Sequence, residues 1–430
     1  MAVVLAYMSP ALGHLFPFCA VLTELARRGH EIHVRTLADG VTLCQKQGFA
    51  ARPVDRRIEA LQTEDTTTNV LKSARETVDV LTRRAALEVD DFGRALADVD
   101  PDVVIVDANC WGAMSVAETQ TRPWLALSPF IPYLRSPGSA PFGAGSRPWP
   151  GPLGAIRNLG VGAVTSWVFD RPLRRRLHPV RAALGLPPVR AADELLRRAP
   201  AVLVATAKPF EYDHTDWGDT VEMIGPADFD PHVWAPAWLQ EIDQPVVLVT
   251  TSSVRQADDE LIHTAIEALR DQPVHVIITA PTTGDDTPTR VASNVTLAGF
   301  VPHAAVLDKA VCVVTHGGLG ITQKALALGI PVCAVPYGRD QFEVARRVEV
   351  SGAGTRLPAR RLTPARLRDA VATAMTLEAG AAAVAEGFAA CGGMARAADL
   401  VEQRLPVRPL GQHERLAVVD GDGVLAVRSA

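Results

Sequence analysis

One segment limits what this chain can fold into more than any other. Val311 to Thr315 is an apolar, strand-like run that passes straight into His316, Gly317, Gly318, Gly320 and Thr322, then into a helix-forming stretch that stops at Gly329. A strand that turns through glycines into a helix start aims several unpaired backbone N–H groups, and the positive end of the helix, at one point in space. Such a point suits a phosphate-bearing ligand. A second apolar run, Ile330 to Pro336, leads into Asp340 and Gln341, which strand topology can bring to the same crevice. Together the two pieces point to a diphosphate with a sugar attached.

The rest of the chain supplies the architecture around that segment. Ala2 to Tyr7, Glu31 to Thr36, Asp102 to Val106 and Trp124 to Leu127 read as strands, with helical stretches between them, one from Pro17 to Gly29 and a polar one within Arg57 to Asp98. Ala201 to Ala205 reads as the last strand of this half. The second half repeats the alternation with strands at Val246 to Thr250, Val274 to Thr279, Val295 to Leu297, Val311 to Thr315 and Ile330 to Val335. Strands split by helices imply parallel sheets covered on both faces. The expected class is therefore α/β, with two doubly wound, Rossmann-like domains whose parallel sheets face each other across a cleft. The expected division is a first domain over 1–215, a linker over 216–240, and a second domain over 241–390. A C-terminal helix at 391–406 is expected to pack back on the first domain, followed by a tail at 407–430. Ser136 to Gly160, dense in proline and glycine, reads as a long loop and a candidate lid.

Composition removes several function classes. A net charge of −5 gives no electrostatic case for nucleic acid. The apolar N-terminal stretch is interrupted by Pro10, Gly13, His14, Pro17 and Glu24, and its arginines follow rather than precede it. It is read as strand, loop and helix, not as a leader or a membrane span. The six cysteines lack metal-ligand spacing, and Asp98-Val-Asp100, Asp285-Asp286 and Asp420-Gly-Asp-Gly423 read as turns or wrong-edge positions. No metal and no cofactor are expected, and the location is read as cytoplasmic.

Candidate chemistry in the first half centres on His14 and Asp107. Each follows a parallel strand, at the carboxyl edge where open α/β sheets bind ligands. An imidazole there can deprotonate an alcohol, and a nearby aspartate can orient it. The competing readings are a loop histidine satisfied by backbone and a strand-end capping aspartate. In the second half, Ser252 and Ser253 follow a strand and can bind phosphate or cap the next helix. Phe300, Val301 and His303 offer a ring or backbone edge to a base. Trp111, Phe130 and Phe142, with Tyr133, Trp149, Trp167 and Phe169, are candidates for an apolar acceptor pocket, although ordinary core packing uses the same residue types.

With His14, Asp107, His316 and Asp340-Gln341 in order, the chain resembles a family 1 (UDP-glycosyltransferase-like) glycosyltransferase of the GT-B fold, in particular the bacterial natural-product type. The resemblance implies inverting, metal-independent transfer of a sugar from a dTDP- or UDP-sugar to a hydroxyl of a small, largely apolar acceptor such as a natural-product aglycone. It implies His14 as the base and Asp107 as its partner. His316, Gly317 and Gly318 match the diphosphate segment, with Thr322 at its helix start. Asp340 and Gln341 match the pair that binds sugar hydroxyls. Phe300 and His303 match base contacts, and Ser253 a phosphate contact. One departure stands out: Lys324 occupies a position where most relatives carry a glutamate that accepts from the ribose, and an ammonium cannot accept. It is expected either to face phosphate or to accompany a deoxyribonucleotide donor. The chain is expected to act as a monomer or homodimer. Rival readings are a nucleotide-sugar epimerase or hydrolase of the same fold, and a catalytically silent nucleotide-sugar-binding auxiliary protein.

Overall fold

The computed structural model describes residues 1–62, 70–136, 139–143, 145–149, 151–213, 215–231, 235–251, 259–279, 288–299 and 301–406. In the first half the order is β1 (Val3–Tyr7), α1 (Leu12–Arg27), β2 (Glu31–Thr36), α2 (Val41–Lys46), β3 (Ala50–Pro53), α3 (Arg56–Glu59), α4 (Val70–Val99), β4 (Val103–Asp107), α5 (Trp111–Glu118), β5 (Trp124–Ser128), α6 (Pro152–Ala183), α7 (Ala192–Leu196), β6 (Val202–Val204) and β7 (Val221–Met223). The second half continues with β8 (Val246–Thr250), α8 (Asp259–Leu269), β9 (His275–Thr279), β10 (Thr289–Ala292), β11 (Val295–Ala298), α9 (His303–Leu307), β12 (Ala310–Thr315), α10 (Leu319–Ala327), β13 (Val332–Ala334), α11 (Gln341–Val350), β14 (Gly354–Arg356), α12 (Pro364–Met375), α13 (Glu378–Ala390) and α14 (Gly393–Glu402).

Among the described residues each half builds one seven-stranded sheet. The strand orders are β3-β2-β1-β4-β5-β6-β7 and β10-β11-β9-β8-β12-β13-β14. The expected α/β class with two doubly wound sheets is what the molecule has. All neighbours are parallel except β10, which runs antiparallel to β11 at the edge of the second sheet. The central strands β1, β4, β8 and β12 are Val/Leu/Ile-rich, as strands covered on both faces must be. Apolar clusters fill both faces of each sheet.

Several boundaries differ from the sequence expectation, each for a physical reason. α1 begins at Leu12, so His14 sits in its first turn rather than in a loop, and Pro17, expected in the first turn, falls in the second, where its missing N–H removes the bond that the helix pattern would give the Gly13 carbonyl. β7 extends the first sheet beyond β6 and lies inside the stretch expected to be linker. α6 starts at Pro152, taking over the end of the proline- and glycine-rich segment, with Pro152 itself in the first turn where its fixed φ favours a helix start. α14 packs its Ala397, Ala398, Leu400 and Val401 into the same cluster as α1. Arg28 of α1 reaches Asp399 at 2.6 Å and Glu402 at 2.7 Å. No helix among the described residues is long and apolar enough to cross a membrane.

Candidate active site

Strand order explains why distant residues meet. In the first sheet the chain winds outward from β1 through β2 and β3, then restarts on the other side at β4, so the loops after β1 and β4 diverge and leave a crevice between them. The second sheet has the same reversal between β8 and β12. These two switch points receive His14 and Asp107 in one lobe and the His316 turn in the other. A narrow crevice runs between the lobes and is lined by Pro17 and Pro129 on one side and Gly320, Gln323 and Lys324 on the other. The lobes also touch directly, since Gln323 Nε2 donates to the Ala205 carbonyl at 2.7 Å.

Asp107 is the last residue of β4 and is fully buried. Burial of a carboxylate is tolerable only when donors surround it, and three do. Asn109 N donates to Oδ1 at 2.8 Å, Ser9 N to Oδ2 at 3.2 Å, and His14 Nδ1 lies 2.6 Å from Oδ2. A carboxylate already accepting two N–H groups takes the imidazole Nδ1–H as its third, which leaves Nε2 as the ring's acceptor. The His14 side chain keeps 19% of its surface open. Its ring lies 5.7 Å from that of Phe130.

Behind this pair lies a charged group that the sequence reading missed. Arg84 of α4 is 1% exposed and donates to Ser9 Oγ at 2.8 Å, to the Asn109 carbonyl at 3.1 Å and to Glu88 at 3.0 Å. Glu88 in turn accepts from Gly112 N at 2.8 Å. Burial pushes the Glu88 carboxyl up, and the Arg84 guanidinium pulls it back. One guanidinium thus ties the loop that leads to His14 to the loop that follows Asp107. The available signal was an i, i+4 Arg–Glu pair on the helix face that also carries Leu81 and Phe92.

In the second lobe β12 ends at Thr315 and the chain turns through Gly317 at φ +91°. A Cβ there would sit 3.1 Å from the Gln341 carbonyl, so left-handed backbone and close approach both call for glycine. A Cβ at Gly318 would meet the His316 ring at 2.7 Å. Gly318 precedes α10 without a side-chain cap, so the first-turn N–H groups have no capping acceptor from it. Thr322 Oγ1, one turn in, is enclosed and has no hydrogen-bond partner among the described residues. Gly320 has open space at its Cβ position and lines the interlobe crevice. This turn can receive an anion's oxygens.

The Asp340–Gln341 corner divides its labour. Asp340 immediately precedes α11, is half-buried, and follows Arg339 at φ +53°. Its carboxyl is pushed up by burial, against the pull of its own backbone, of Arg339 and of the His14 imidazole. Asp340 therefore lies within electrostatic reach of His14 across the lobes. Gln341 is 3% exposed, and its Oε1 accepts from Tyr337 N at 2.8 Å and Gly338 N at 3.0 Å. The expectation that Gln341 binds a sugar hydroxyl needs correction for this oxygen: it holds its own turn.

Lys324 does not face the glycine turn. Its ammonium lies 2.9 Å from Asp228, 2.9 Å from the Phe229 carbonyl and 3.8 Å from Asp230, in the segment joining the lobes. The expectation of a phosphate-facing lysine is thus replaced by a lysine that pins that segment. His303 Nε2 is 3.4 Å from Thr279 Oγ1. Burial, with the Lys324 charge adding to it, lowers its pKa to about 4. Val301 is 4% exposed and packs in the second lobe's core, so only its backbone can present an edge. Ser252, Ser253 and Phe300 lie outside the described residues.

Of the aromatic candidates, Trp111 is completely buried in the first-lobe core, because α5 is covered by α4. It does not line a surface, contrary to the expectation that it contributes to an acceptor pocket. Phe130 and Phe169, buried at the edge of the same core, and the half-buried Tyr133 and Phe142 form a continuous wall of rings, with centroids 5.7 Å apart for Phe130–Tyr133, 4.6 Å for Tyr133–Phe142 and 4.9 Å for Tyr133–Phe169. The Tyr133 hydroxyl is pushed up mainly by burial, with the charges of Asp340 and Asp107 adding to it. The wall therefore adjoins both His14 and the Asp340 corner. Among the described residues no three His, Cys, Asp or Glu side chains gather as a metal-holding group.

This arrangement can be set beside known proteins. Residues 263–394 match the family model described as Erythromycin biosynthesis protein CIII-like, C-terminal domain. The chain is 32% identical over 420 residues to the 4'-demethylrebeccamycin synthase of Lentzea aerocolonigenes, covering 93% of this chain and 98% of that protein. It is 24% identical over 371 residues to the NDP-glycosyltransferase YjiC of Bacillus subtilis strain 168, covering 84% and 86%. Among solved structures, the kitacinnamycin glycotransferase aligns with a TM-score of 0.71 at 23% identity, over 94% of this chain and 99% of that one. The calicheamicin glycosyltransferase CalG4 aligns with a TM-score of 0.71 at 22% identity, over 95% and 100%. Those two identities speak to the GT-B fold alone, whereas the synthase is matched almost end to end at an identity that speaks to descent. On that match the chain belongs to the natural-product glycosyltransferases.

Proposed function

We propose that this glycosyltransferase moves a sugar from a nucleoside-diphosphate sugar to a hydroxyl of a small, largely apolar acceptor, with inversion at the anomeric carbon and without a metal. The observation that carries the reading is the 2.6 Å contact between His14 Nδ1 and the buried Asp107 carboxylate. It leaves Nε2 to take the acceptor proton while Asp107 stabilises the resulting imidazolium. The acceptor oxygen attacks the anomeric carbon from the face opposite the diphosphate, the bond to the diphosphate breaks, and the nucleoside diphosphate departs. Charge growing on that leaving group is met by His316, the N–H groups of the glycine turn and the start of α10. Asp340 engages hydroxyls of the transferred sugar, and the Phe130–Tyr133–Phe142–Phe169 wall receives the acceptor.

A thymidine-type donor is favoured over a uridine one. Lys324 is engaged with Asp228 and the Phe229 carbonyl and offers no acceptor to a ribose hydroxyl. Two solved neighbours, SsfS6 of Streptomyces sp. SF2575 and the rhamnosyltransferase SpnG, were obtained with thymidine diphosphate. The test is mass spectrometry of products from a panel of dTDP- and UDP-sugars against pooled hydroxylated aglycones, with and without chelator. Chelator-resistant transfer from dTDP-sugars supports the reading. Loss of transfer on chelation, or much faster turnover of UDP-sugars, counts against the corresponding part.

A further inference from the structure

The long segment between β5 and α6 crosses to the second lobe and is seated there by one carboxylate. Glu343 of α11 is 2% exposed, and its Oε1 accepts from Gly143 N and from Gly145 N, both at 2.9 Å. Its Oε2 takes Arg347 Nη1 at 3.0 Å. Arg347 is in turn bidentate to the buried Glu211 at 2.7 and 2.9 Å, and its guanidinium lies 4.3 Å from the Tyr212 ring centroid. One buried arginine cannot satisfy two buried carboxylates alone, and neutral donors complete them: the Gly143 and Gly145 N–H groups on Glu343, and Tyr212 N and Thr215 Oγ1 on Glu211. The fit is close on the loop side as well. Gly145 has φ +58°, a Cβ there would fall 2.1 Å from the Phe342 carbonyl, and Arg346 Nε donates to the Gly145 carbonyl at 2.7 Å.

The two ends of this contact belong to the two halves of the reaction. Phe142 adjoins Gly143, is held by Thr165 Oγ1 donating to its carbonyl at 3.0 Å, and closes the aromatic wall by packing edge-on to Tyr133 at 4.6 Å. Asp340 heads the helix that carries Glu343, whose N–H donates to the Asp340 carbonyl at 2.9 Å. A shift of the loop would therefore move the acceptor wall relative to the sugar corner.

We propose that Glu343 is a positioning residue that, by accepting the Gly143 and Gly145 N–H groups, sets the acceptor-side loop in register with Asp340. This rests on the functional reading above. Three variants test it. Glu343→Ala removes the acceptor, Gly145→Ala lifts the loop while leaving the buried charges intact, and Glu211→Gln disturbs the buried charges while leaving the acceptor of the Gly143 and Gly145 N–H groups in place. Glu343→Ala and Gly145→Ala are expected to raise acceptor KM about tenfold or more, the size of a lost hydrogen bond to a charged group. Both should keep nucleoside-diphosphate affinity within about twofold and speed chymotryptic cleavage after Phe142. Glu211→Gln is expected to lower Tm without either effect. Equal effects of all three variants on acceptor KM, or an unchanged acceptor KM in Gly145→Ala, overturn the proposal. If the wild type makes no glycoside, the functional reading fails, and unchanged cleavage in Gly145→Ala then still overturns the seating.

Discussion

Replacing Asp107 by asparagine probes the dyad with little change in volume. The carboxylate accepts three donors, Asn109 N, Ser9 N and His14 Nδ1, and an amide has only one oxygen. If the NH₂ takes the Oδ2 place, it faces Ser9 N and donates to His14 Nδ1, which moves the ring proton to Nε2 and removes the base. If it takes the Oδ1 place, it opposes Asn109 N and leaves that N–H unpaired. The first arrangement removes a general base, worth about 10²- to 10⁴-fold in rate. The second costs about 1–3 kcal/mol for a buried donor without a partner. Asp107→Asn should therefore lower kcat by about 10²- to 10⁴-fold, or lower stability measurably, while nucleoside-diphosphate binding stays intact. The assay is kcat at saturating donor and acceptor, with Tm and calorimetric titration of the nucleotide on the same samples. A variant that keeps more than about a tenth of wild-type kcat at unchanged Tm would refute the reasoning.

Other expectations follow from neighbouring residues. Trp111→Ala should cost about 3–5 kcal/mol of stability in a denaturant titration, whereas Phe130→Ala should mainly raise acceptor KM; the opposite pattern would mean that the two rings were assigned the wrong way round. Gly317→Ala, at φ +91° and 3.1 Å from the Gln341 carbonyl, should weaken nucleoside-diphosphate binding, read by calorimetry against Gly320→Ala, where space is open. His303 has a folded pKa of about 4 against an ordinary 6.5, so between those values the unfolded chain binds the extra proton. Its contribution is full above about pH 6.5 and is lost as pH falls toward about 4. Denaturant midpoints of His303→Gln should lack that part of the acid slope. Lys324→Met should raise the His303 pKa, since a nearby cation is removed, and NMR titration of the imidazole reads it.

The parts of the site that were legible in the sequence are those where backbone demands a residue type. Gly317 must be glycine to adopt its φ and to approach Gln341, and a strand entering such a turn announces itself. The His14–Asp107 pairing was suggested by position after strands, but the strand order that makes β1 and β4 neighbours is a non-local property that no local pattern carries. Trp111 was misjudged because an aromatic side chain does not say which way its helix faces. The turn-holding use of the Gln341 side-chain oxygen was not legible because an amide serves its own turn as readily as a ligand. Arg84 and Glu88 were overlooked because a charged pair on a helix reads as solvated until the core is seen to enclose it. The start of α6 was hidden by glycines and prolines that usually end helices.

The most direct test of the account is the anomeric configuration and yield of product from wild type and His14→Ala, read by NMR coupling constants and mass spectrometry with an α-configured nucleoside-diphosphate sugar. The account predicts a β-configured glycoside from the wild type, and from His14→Ala a rate lower by about 10²- to 10⁴-fold with nucleotide affinity preserved. An α-configured product, or transfer by His14→Ala at the wild-type rate, would contradict it.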